Sequence, residues 1–261
     1  MILATWNVNS VRVRTEHILK YLDRQPVDVL CLQELKCRDE DFPREPLESA
    51  GYHAIIAGQK TYNGVAVLAR EAPQDPVVGL PHLPADHPLN AHRRLLAVTL
   101  GGVRVISAYL PNGEAVGSDK YSFKLAFFAE LRAYMEAEAE RHGKLCLLGD
   151  FNIAPEDRDV YDPAAFEGQV PCSEPERTAL EALREAGRFE DCFRKHNDEG
   201  ELYSWWDYRG GSFWKNRGVR IDHVWATPEL AATCTACEVD LSPRKWKKPS
   251  DHAPVRAVFE V

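Results

Sequence analysis

The sequence predicts an α/β fold in which two β-sheets pack together with helices beside them. Apolar strand-like segments are frequent, whereas only three segments have clear helical periodicity. The strands also follow one another without the regular intervening helices of a βαβ winding. Because no linker-like stretch and no internal repeat divides the chain, we expect residues 1-261 to form one domain.

The predicted strands are short apolar runs, and several of them alternate at a period of two residues. In Val103–Tyr109 this alternation indicates that one face is more deeply buried than the other. The stretch Glu71 to Pro88 is softer in composition and predicts an extended loop. In chain order the predicted strands are Ile2–Val8, Val27–Leu32, His53–Ala57, Val65–Ala69, Leu95–Leu100, Val103–Leu110, Leu145–Gly149, Ile221–Ala226 and Val255–Val261.

Three helices are predicted from apolar residues that recur at three- and four-residue spacing. They span Thr15–Arg24, Ser122–His142 and Glu174–Gly187. Ser173 and Glu176 have the spacing of a capping box ahead of the third helix. The second helix places Leu125, Phe128, Leu131 and Met135 on its apolar face, and we expect Glu130, Glu136, Glu138 and Glu140 to face outward.

Composition excludes several classes of protein. Hydrophobic residues make up 44% and charged residues 28% of the chain, which is ordinary globular usage and not that of a disordered chain. The net charge of −8 excludes a wholly basic nucleic-acid binder but leaves room for a local basic face or a carboxylate-rich metal site. No apolar run approaches the roughly 18 residues of a membrane span, and the N-terminus lacks signal-peptide features. We therefore expect a cytoplasmic protein without a membrane partner.

The seven cysteines are odd in number and scattered, which favours reduced thiols over a disulfide framework. Cys31 and Cys146 lie in apolar runs and are predicted to be small core residues. Cys234 and Cys237 form a CxxC pair. A zinc or redox site would need a second ligand pair or a thioredoxin-like context, and the sequence offers neither, so we interpret this pair as structural.

Polar residues end or precede six strands that are far apart in the sequence. Strands packed side by side would bring such ends together. Each residue alone is also typical of a strand-end cap or a turn, but six such segments favour a shared site. They are Trp6-Asn-Val-Asn9, Gln33-Glu34, Tyr109-Leu-Pro-Asn112, Gly149-Asp-Phe-Asn152, Arg220-Ile-Asp222 and Pro249-Ser-Asp-His252.

The donor atoms in these segments are mostly oxygens, from carboxylates and amides, and no Cys/His cluster accompanies them. Such a set suits Mg²⁺ or Mn²⁺ better than zinc or copper. His252 stands beside Asp251, and no Ser or Cys nucleophile is evident. This chemistry indicates water attack on a metal-bound phosphate more than covalent acyl transfer.

These motifs resemble those of the exodeoxyribonuclease III family, DNA-repair enzymes of the endonuclease/exonuclease/phosphatase superfamily related to DNase I. The resemblance runs from Ile2 to Phe259 in the family's order. It rests on Thr5-Trp-Asn-Val-Asn9, Leu32-Gln-Glu34, Gly64-Val-Ala, Arg93-Arg94, Tyr109 with Asn112-Gly, Gly149-Asp-Phe-Asn-Ile153, Arg220-Ile-Asp222 and Pro249-Ser-Asp-His-Ala-Pro254.

The resemblance implies an α/β four-layer sandwich of two packed mixed β-sheets flanked by helices. It also implies Mg²⁺-dependent hydrolysis of DNA phosphodiesters, with Mn²⁺ as a possible substitute. The implied reactions are 3′→5′ exonuclease action, removal of 3′ blocking groups and incision 5′ to an abasic site. The implied partner is double-stranded DNA with abasic sites or 3′ ends. We expect a monomer, in the cytoplasm and associated with the nucleoid through DNA.

The resemblance also assigns roles at the metal and the reacting phosphate. Glu34 matches the principal metal ligand, assisted by Asn7 and Asn9, and Asp251 matches a carboxylate near a possible second metal position. Among the catalytic residues, Asp150 matches the residue that activates the attacking water, and Asn152 matches the amide that holds that water and the phosphate. Tyr109 matches the phenol next to the scissile phosphate. His252 matches the imidazole that binds the phosphoryl oxygen, and Asp222 matches the carboxylate that orients it.

The DNA-binding residues implied by the resemblance include a small apolar pocket for a flipped sugar, formed by Trp205, Val219 and Ile221. We expect Trp206 and Tyr208, in the same aromatic cluster, to be core residues. Residues 205–222 carry four basic and two acidic side chains, opposite in sign to the whole chain. Further predicted DNA contacts are Asn112, Arg217, Lys245, Lys247 and Lys248.

Two positions depart from the family pattern. Some branches of the family have Asp where this chain has Asn9, so the metal site here has one negative charge fewer. Branches in which abasic endonuclease activity dominates commonly have His where this chain has Pro155. The loop from Pro155 to Pro175 is therefore a candidate for altered lesion preference.

Two other functions compete with that of a DNA-repair nuclease. A superfamily phosphatase acting on inositol phosphates or phospholipids would use the same carboxylates and histidine. It would give no reason for the aromatic cluster at Trp205 or for the basic run 244–248. A catalytically silent DNA-binding member is the second alternative, and the competent residue types at every matched position argue against it.

Overall fold

The computed structural model describes all residues of the chain, 1–261. It contains two six-stranded sheets, with strand order β11-β12-β1-β2-β4-β3 in the first and β5-β6-β7-β8-β10-β9 in the second. The strands are β1 Ile2–Asn7, β2 Val29–Gln33, β3 His53–Ala57, β4 Val65–Ala69, β5 Gln74–Val78, β6 Leu95–Leu100, β7 Val103–Tyr109, β8 Leu145–Asp150, β9 Glu190–Asp191, β10 Asp222–Ala226, β11 Cys234–Val239 and β12 Val255–Phe259. The helices are α1 Val11–Arg24, α2 Arg44–Ser49, α3 Asp119–Arg141, α4 Pro163–Phe166, α5 Glu174–Ala186, α6 Cys192–His196 and α7 Pro228–Ala231.

Both sheets are mixed. In each of them one central pair is parallel, β1 with β2 and β7 with β8, and the other neighbours are antiparallel. The largest buried cluster joins the facing sides of the two sheets. A second cluster lies between the second sheet and α3 with α5, and a third between the first sheet and α1 with α2. The predicted four-layer sandwich of two sheets flanked by helices is therefore confirmed.

The three long helices lie where the periodicity predicts them, but two of them begin earlier. α1 begins at Val11 and not at Thr15, and α3 begins at Asp119 and not at Ser122. The α3 start follows from its cap, since the Ser118 hydroxyl accepts the backbone N–H of Tyr121. The predicted capping box is present on α5, where Ser173 and Glu176 bond to each other's backbone N–H groups.

Two expectations about regular structure were wrong. The stretch Glu71 to Pro88 contains β5, an edge strand whose mostly exposed side chains give no apolar signal. Glu138 does not face outward, because it is buried in an ion pair with Arg104 at 2.7 Å. A carboxylate on the inner face of a helix breaks the apolar pattern from which burial is inferred.

The cysteines behave as predicted. All seven are free and buried, and Cys31 and Cys146 lie in the cluster between the sheets. Cys234 and Cys237 lie in β11 and pack into the same cluster. The structural interpretation of the CxxC pair stays a prediction. None of the helices combines the length and the apolar character needed to cross a membrane.

Candidate active site

The candidate active site lies where central strands of both sheets end on the same side of the sandwich. In the second sheet, Asp150 at the end of β8 pairs with Tyr109 on one side and with Asp222 on the other. In the first sheet, Asn7 pairs with Gln33 at the ends of β1 and β2, directly before Glu34. Strand register within each sheet and the packing of the two sheets therefore bring together residues that are up to 215 positions apart (Asn7 to Asp222).

Gly149 is required for the approach of β7 to β8 at the site. Its φ is +149°, and a Cβ atom built there would lie 1.8 Å from the backbone oxygen of Ala108. No side chain fits in that space. Glycine therefore permits the adjacent strand to reach Asp150 without a bulge.

Asn7 joins the carboxylates of the two sheets. Its fully buried side-chain amide donates to Glu34 Oε1 and to Asp150 Oδ2, each at 2.9 Å. Its Oδ1 accepts the backbone N–H of Asn9 at 3.0 Å. One amide thus holds Glu34 and Asp150 within a few ångströms of each other, which creates a concentrated negative charge.

Glu34 is surrounded by donors. The Tyr109 hydroxyl donates to Oε1 at 2.9 Å, and the Lys36 ammonium lies 2.8 Å from Oε2. Burial alone would raise the pKa of Glu34, but Lys36 and the Asn7 amide lower it below its usual range. Burial and then Glu34 raise the pKa of Tyr109 well above 10, so its phenol keeps its proton. The Arg94 guanidinium stacks 4.7 Å from the Tyr109 ring and fixes it.

Asp222, His252 and Asp150 form a buried chain of titratable groups. His252 Nδ1 lies 2.9 Å from Asp222 Oδ2, and Nε2 lies 3.8 Å from Asp150 Oδ2. The Ser204 hydroxyl donates to Asp222 Oδ2 at 2.6 Å. Burial alone would lower the pKa of His252, but Asp222 and Asp150 raise it to about 10. Burial raises the pKa of Asp150 to about 7, against the opposing charge of His252. The imidazole is therefore cationic at neutral pH. The pKa of Asp150 lies near neutral pH, which is the range suited to a general base.

Asn152 faces the same space from the loop after β8. Its backbone N–H donates to Asp150 Oδ1 at 3.0 Å, and its side-chain amide donates to the Leu110 carbonyl at 2.9 Å. Asn112 donates to Asn152 Oδ1 at 3.0 Å. Asn152 and Glu34 have positive φ values of 52° and 54°, outside the usual region for residues other than glycine. Such backbone strain concentrates at functional sites.

Asn9 and Asp251 form a second group beside the first. Asn9 Nδ2 donates to Asp251 Oδ1 at 2.9 Å, and the Trp205 indole donates to Asp251 Oδ2 at 3.0 Å. The Lys36 ammonium bridges Asn9 Oδ1, at 2.6 Å, to the Glu34 carboxylate. The structure therefore brings Asn9 and Asp251 to the site but pairs them with each other.

A cavity of about 740 Å³ opens directly above these residues. One side is formed by the carboxylates of Glu34 and Asp150 with the His252 imidazole, and the other is an apolar wall containing the predicted Trp205, Val219 and Ile221. The predicted Asn112 and Arg217 also line it. Nine further residues line the cavity, and four of them lie in the loop named for lesion preference. They are Tyr161, Phe166, Val170 and Pro171 from that loop, and Glu114, Asp207, Arg209, Gly210 and Ser212.

The predicted basic contacts divide into two sets. Lys245, Lys247 and Lys248 are exposed, but they do not line the cavity. Arg244, in the same run, is buried, and its guanidinium lies 4.9 Å from the Phe213 ring. This arginine supports the aromatic cluster and does not extend the exposed charge.

The expectations for the aromatic cluster were half right. Trp206 is buried, as predicted, but Tyr208 is 52% exposed and was wrongly predicted to be core. The Tyr208 hydroxyl donates to the carbonyl of Pro249, and the Arg14 guanidinium donates to Tyr208 at 3.2 Å. A phenol hydroxyl that is hydrogen-bonded at the surface explains why this aromatic residue is not in the core.

The site has the donor set for a divalent cation. Ligand atoms of Asp150, Asp222 and His252 all lie within 4.8 Å of one another, and Asp222 Oδ1 is buried without a hydrogen-bond partner. Glu34 adds carboxylate oxygens beside Asp150, and Asn7 links the two carboxylates through its amide nitrogen. Carboxylate and amide oxygens suit hard cations, so these residues fit a metal-dependent reaction.

Comparisons with known proteins agree with this geometry. Residues 4–252 match the endonuclease/exonuclease/phosphatase family. The chain is 35% identical to exodeoxyribonuclease III of Haemophilus influenzae, with 98% of both chains covered. Two solved structures superpose over the full length of both chains. The 3′-5′ exonuclease NExo of Neisseria meningitidis has a TM-score of 0.96 and is 46% identical. An AP endonuclease of Archaeoglobus fulgidus has a TM-score of 0.94 and is 36% identical. A second structure of NExo, there called a 3′ phosphatase, is bound to a product DNA hairpin.

These similarities confirm the relationship that the motifs predict, the sandwich fold and the prediction of a nuclease. They cover the whole chain, so the site described above lies entirely within the shared region. The chain belongs to the endonuclease/exonuclease/phosphatase family and, within it, to the exodeoxyribonuclease III-type, metal-dependent nucleases of DNA repair.

Proposed function

We propose that this nuclease processes 3′ ends of duplex DNA with Mg²⁺, and that the cavity beside the catalytic group receives the 3′-terminal residue. This proposal depends on one observation: a single cavity has a carboxylate–imidazole group on one side and an apolar wall on the other. Exposed Arg209 and Arg217 stand at this cavity, where they can pair with phosphates.

The residues of the site can divide the work of phosphodiester hydrolysis. Asp150 is placed to orient the attacking water and take its proton, because burial raises its pKa to about 7. The His252 cation and the Asn152 amide can stabilise charge on the non-bridging phosphate oxygens. The Tyr109 phenol, which keeps its proton, can donate to the phosphate or to the leaving oxygen. Asp222 holds the imidazole in place at 2.9 Å.

We propose Glu34 and Asn7 as the principal holders of the metal, with Asn9 and Asp251 beside them. A bound Mg²⁺ would supply a Lewis acid that neutralises charge on the phosphate. The alternative group of Asp150, Asp222 and His252 is less suitable, because a protonated imidazole cannot act as a ligand and His252 already pairs with Asp222 at 2.9 Å. The oxygen-rich donors favour Mg²⁺, with Mn²⁺ as a substitute.

Two observations support 3′-end processing as the main reaction. The relatives that are 46% identical act as a 3′-5′ exonuclease and a 3′ phosphatase. The cavity is also narrowed by residues of the loop Pro155 to Pro175, among them Tyr161 and Phe166, whose rings pack edge to face at 5.7 Å. A terminal nucleotide can enter such a space from the end of a strand, whereas an internal sugar must first be extruded from the duplex.

Incision at abasic sites is a second candidate activity. Trp205, Val219 and Ile221 give the cavity an apolar wall that suits a sugar without a base. The Archaeoglobus relative is an AP endonuclease at 36% identity. We therefore propose abasic incision as a subsidiary reaction. The double-stranded DNA partner, monomeric state, single domain over 1-261 and association with the nucleoid remain our proposals.

The test uses two labelled duplexes, one with a recessed 3′ end and one with an internal abasic-site analogue, each with Mg²⁺ and with EDTA. We expect Mg²⁺-dependent trimming of the 3′ end to be faster than incision at the analogue. Faster incision at the analogue would reverse the order of the two activities. No cleavage of either duplex, together with hydrolysis of an inositol phosphate, would overturn the proposal in favour of a phosphatase.

A further inference from the structure

Behind the candidate active site, Lys124 on α3 is completely buried. Its ammonium donates to the backbone carbonyls of Asn112 at 3.0 Å and Asn152 at 2.7 Å. It also pairs with the fully buried carboxylate of Glu176 on α5. An ammonium has three N–H donors, so each donor has one acceptor. The buried charge is thus fully satisfied, and two of its three partners belong to cavity-lining residues.

The two carbonyls lie in different loops, which Lys124 holds together. Asn112 follows β7 and Asn152 follows β8, and their side chains are joined by a hydrogen bond of 3.0 Å. The backbone N–H of Asn152 in turn bonds to Asp150 Oδ1. The position of the Asn152 peptide therefore depends on Lys124 on its carbonyl side and influences Asp150 on its amide side.

Glu176 fixes Lys124 from the other direction. Its carboxylate accepts the backbone N–H of Ser173 at 3.1 Å and the Ser173 hydroxyl at 2.6 Å. The Ser173 hydroxyl also lies 2.7 Å from the Tyr121 hydroxyl on α3. The start of α5, the second turn of α3 and both catalytic loops are thereby joined in one buried polar network. Such networks are no more stabilising than apolar packing of the same volume, so stability alone gives no reason for this one.

We propose that Lys124 is a positioning residue for the nuclease reaction, because it holds Asn112 and Asn152 in the arrangement that the phosphate requires. The proposal rests on the proposed role of Asn152 at the phosphate. Lys124 itself is buried and does not reach the cavity, so it acts through the two asparagines. Its effect is expected in kcat, since the groups that it orders work on the reacting phosphate and not on the remote duplex.

The test compares two double variants that each remove a buried ion pair of α3. One is Lys124→Met/Glu176→Gln, and the control is Arg104→Met/Glu138→Gln, whose side chains are both 4% exposed. Arg104 also holds a backbone carbonyl, that of Asp75, but stands at the opposite end of β7 from Tyr109. We expect comparable losses in Tm, with kcat for 3′-end trimming reduced about 100-fold only in the first variant and KM for DNA changed less than about 3-fold.

A second measurement separates positioning from general damage. In an Asn112→Ala/Asn152→Ala background, Lys124→Met/Glu176→Gln should reduce kcat by less than about 10-fold further, because both side-chain amides that Lys124 orders are gone and only the bond from the peptide of residue 152 to Asp150 remains. Multiplicative losses, or equal kcat losses in the two ion-pair variants, would overturn the proposal. If wild-type protein trims no DNA, the proposed function fails first, independently of Lys124.

If the double variant does not fold, Ser173→Ala provides the test with a milder change. It removes the hydroxyl that bonds to Glu176 and leaves the buried ammonium paired. We expect kcat to fall about 3-fold or more at unchanged KM, with a smaller loss in the Asn112→Ala/Asn152→Ala background. An unchanged kcat at a lowered Tm would show that the network only stabilises the fold.

Discussion

The floor and the wall of the cavity are built in different ways. The floor lies at or next to strand ends whose positions are fixed by strand pairing within each sheet. Its residues are Asn7, Glu34, Asp150, Asp222 and His252. The wall, formed by Tyr161, Phe166, Val170–Pro171 and the cavity-lining residues between Trp205 and Ile221, belongs largely to loops. Loops on a rigid scaffold can change without disturbing the scaffold. We infer that the floor determines the reaction and the wall determines which DNA end reaches it.

The largest effect is expected when a residue of the floor is disabled and the wall is left unchanged. Asp150→Asn removes the proposed base but keeps the size of the side chain, and we expect kcat for 3′-end trimming to fall about 1,000-fold. The affinity for DNA should change less than about 3-fold, because the wall and the exposed cations are untouched. Rapid-quench turnover and fluorescence anisotropy measure the two quantities. Unaltered turnover would refute the assignment of Asp150.

A smaller effect is expected when the carboxylate behind the imidazole is neutralised. Asp222→Asn should lower the pKa of His252 from about 10 toward its ordinary value and reduce kcat about 100-fold. An NMR pH titration of the imidazoles measures the shift. His223, whose pKa is lowered to about 4 by burial and Arg220, serves as an internal reference. A His252 pKa that stays near 10 would show that Asp222 is not its main partner.

The pairing of His252 with Asp222 also predicts how the stability of the fold depends on pH. The folded pKa of His252 lies above the unfolded value of about 6.5, so its protonated form stabilises the fold fully below pH 6.5. This contribution is lost as the pH rises through about 10. We therefore expect Asp222→Asn to lower the Tm at pH 6 more than at pH 10. A destabilisation that is equal at the two pH values would contradict this linkage.

The contrast between floor and wall also explains what could be predicted from the sequence. Glu34, Asp150 and His252 were found because each lies next to a strand end in a recognisable motif, and adjacent strand ends must meet. Phe166 was not predicted because it ends the four-residue helix α4, which is too short to show a periodicity that would tell which way the ring faces. β5 and Glu138 were missed for a related reason, since an exposed edge strand and a buried ion pair both lack the apolar pattern that marks a core. Lys124 gave no sequence signal, because a lysine on a helix is usually exposed.

Removing a side chain from the wall tests whether the wall determines which DNA substrate is cleaved. Phe166→Ala removes a ring from the loop face of the cavity, and we expect the ratio of abasic incision to 3′-end trimming to rise about 10-fold. The two labelled duplexes give this ratio directly. Phe123→Ala, which removes a half-buried ring on α3 that does not line the cavity, is the matched control. An unchanged ratio in both variants would remove the loop from the determination of specificity.

The smallest effect is expected outside both regions, at the exposed lysines that the structure leaves away from the cavity. Lys247→Ser/Lys248→Ser should weaken DNA binding about 10-fold at low salt and leave kcat unchanged, since phosphate contacts position the duplex without touching the reaction. Each lost contact reduces the slope of log affinity against log salt by about 0.9, so the slope should fall by about 2. Arg132→Ser/Arg188→Ser removes two exposed charges near α3 and α5 and serves as the control for net charge. Equal slopes in the two variants would mean that the lysines act only through the overall field of the protein and make no local contact with DNA.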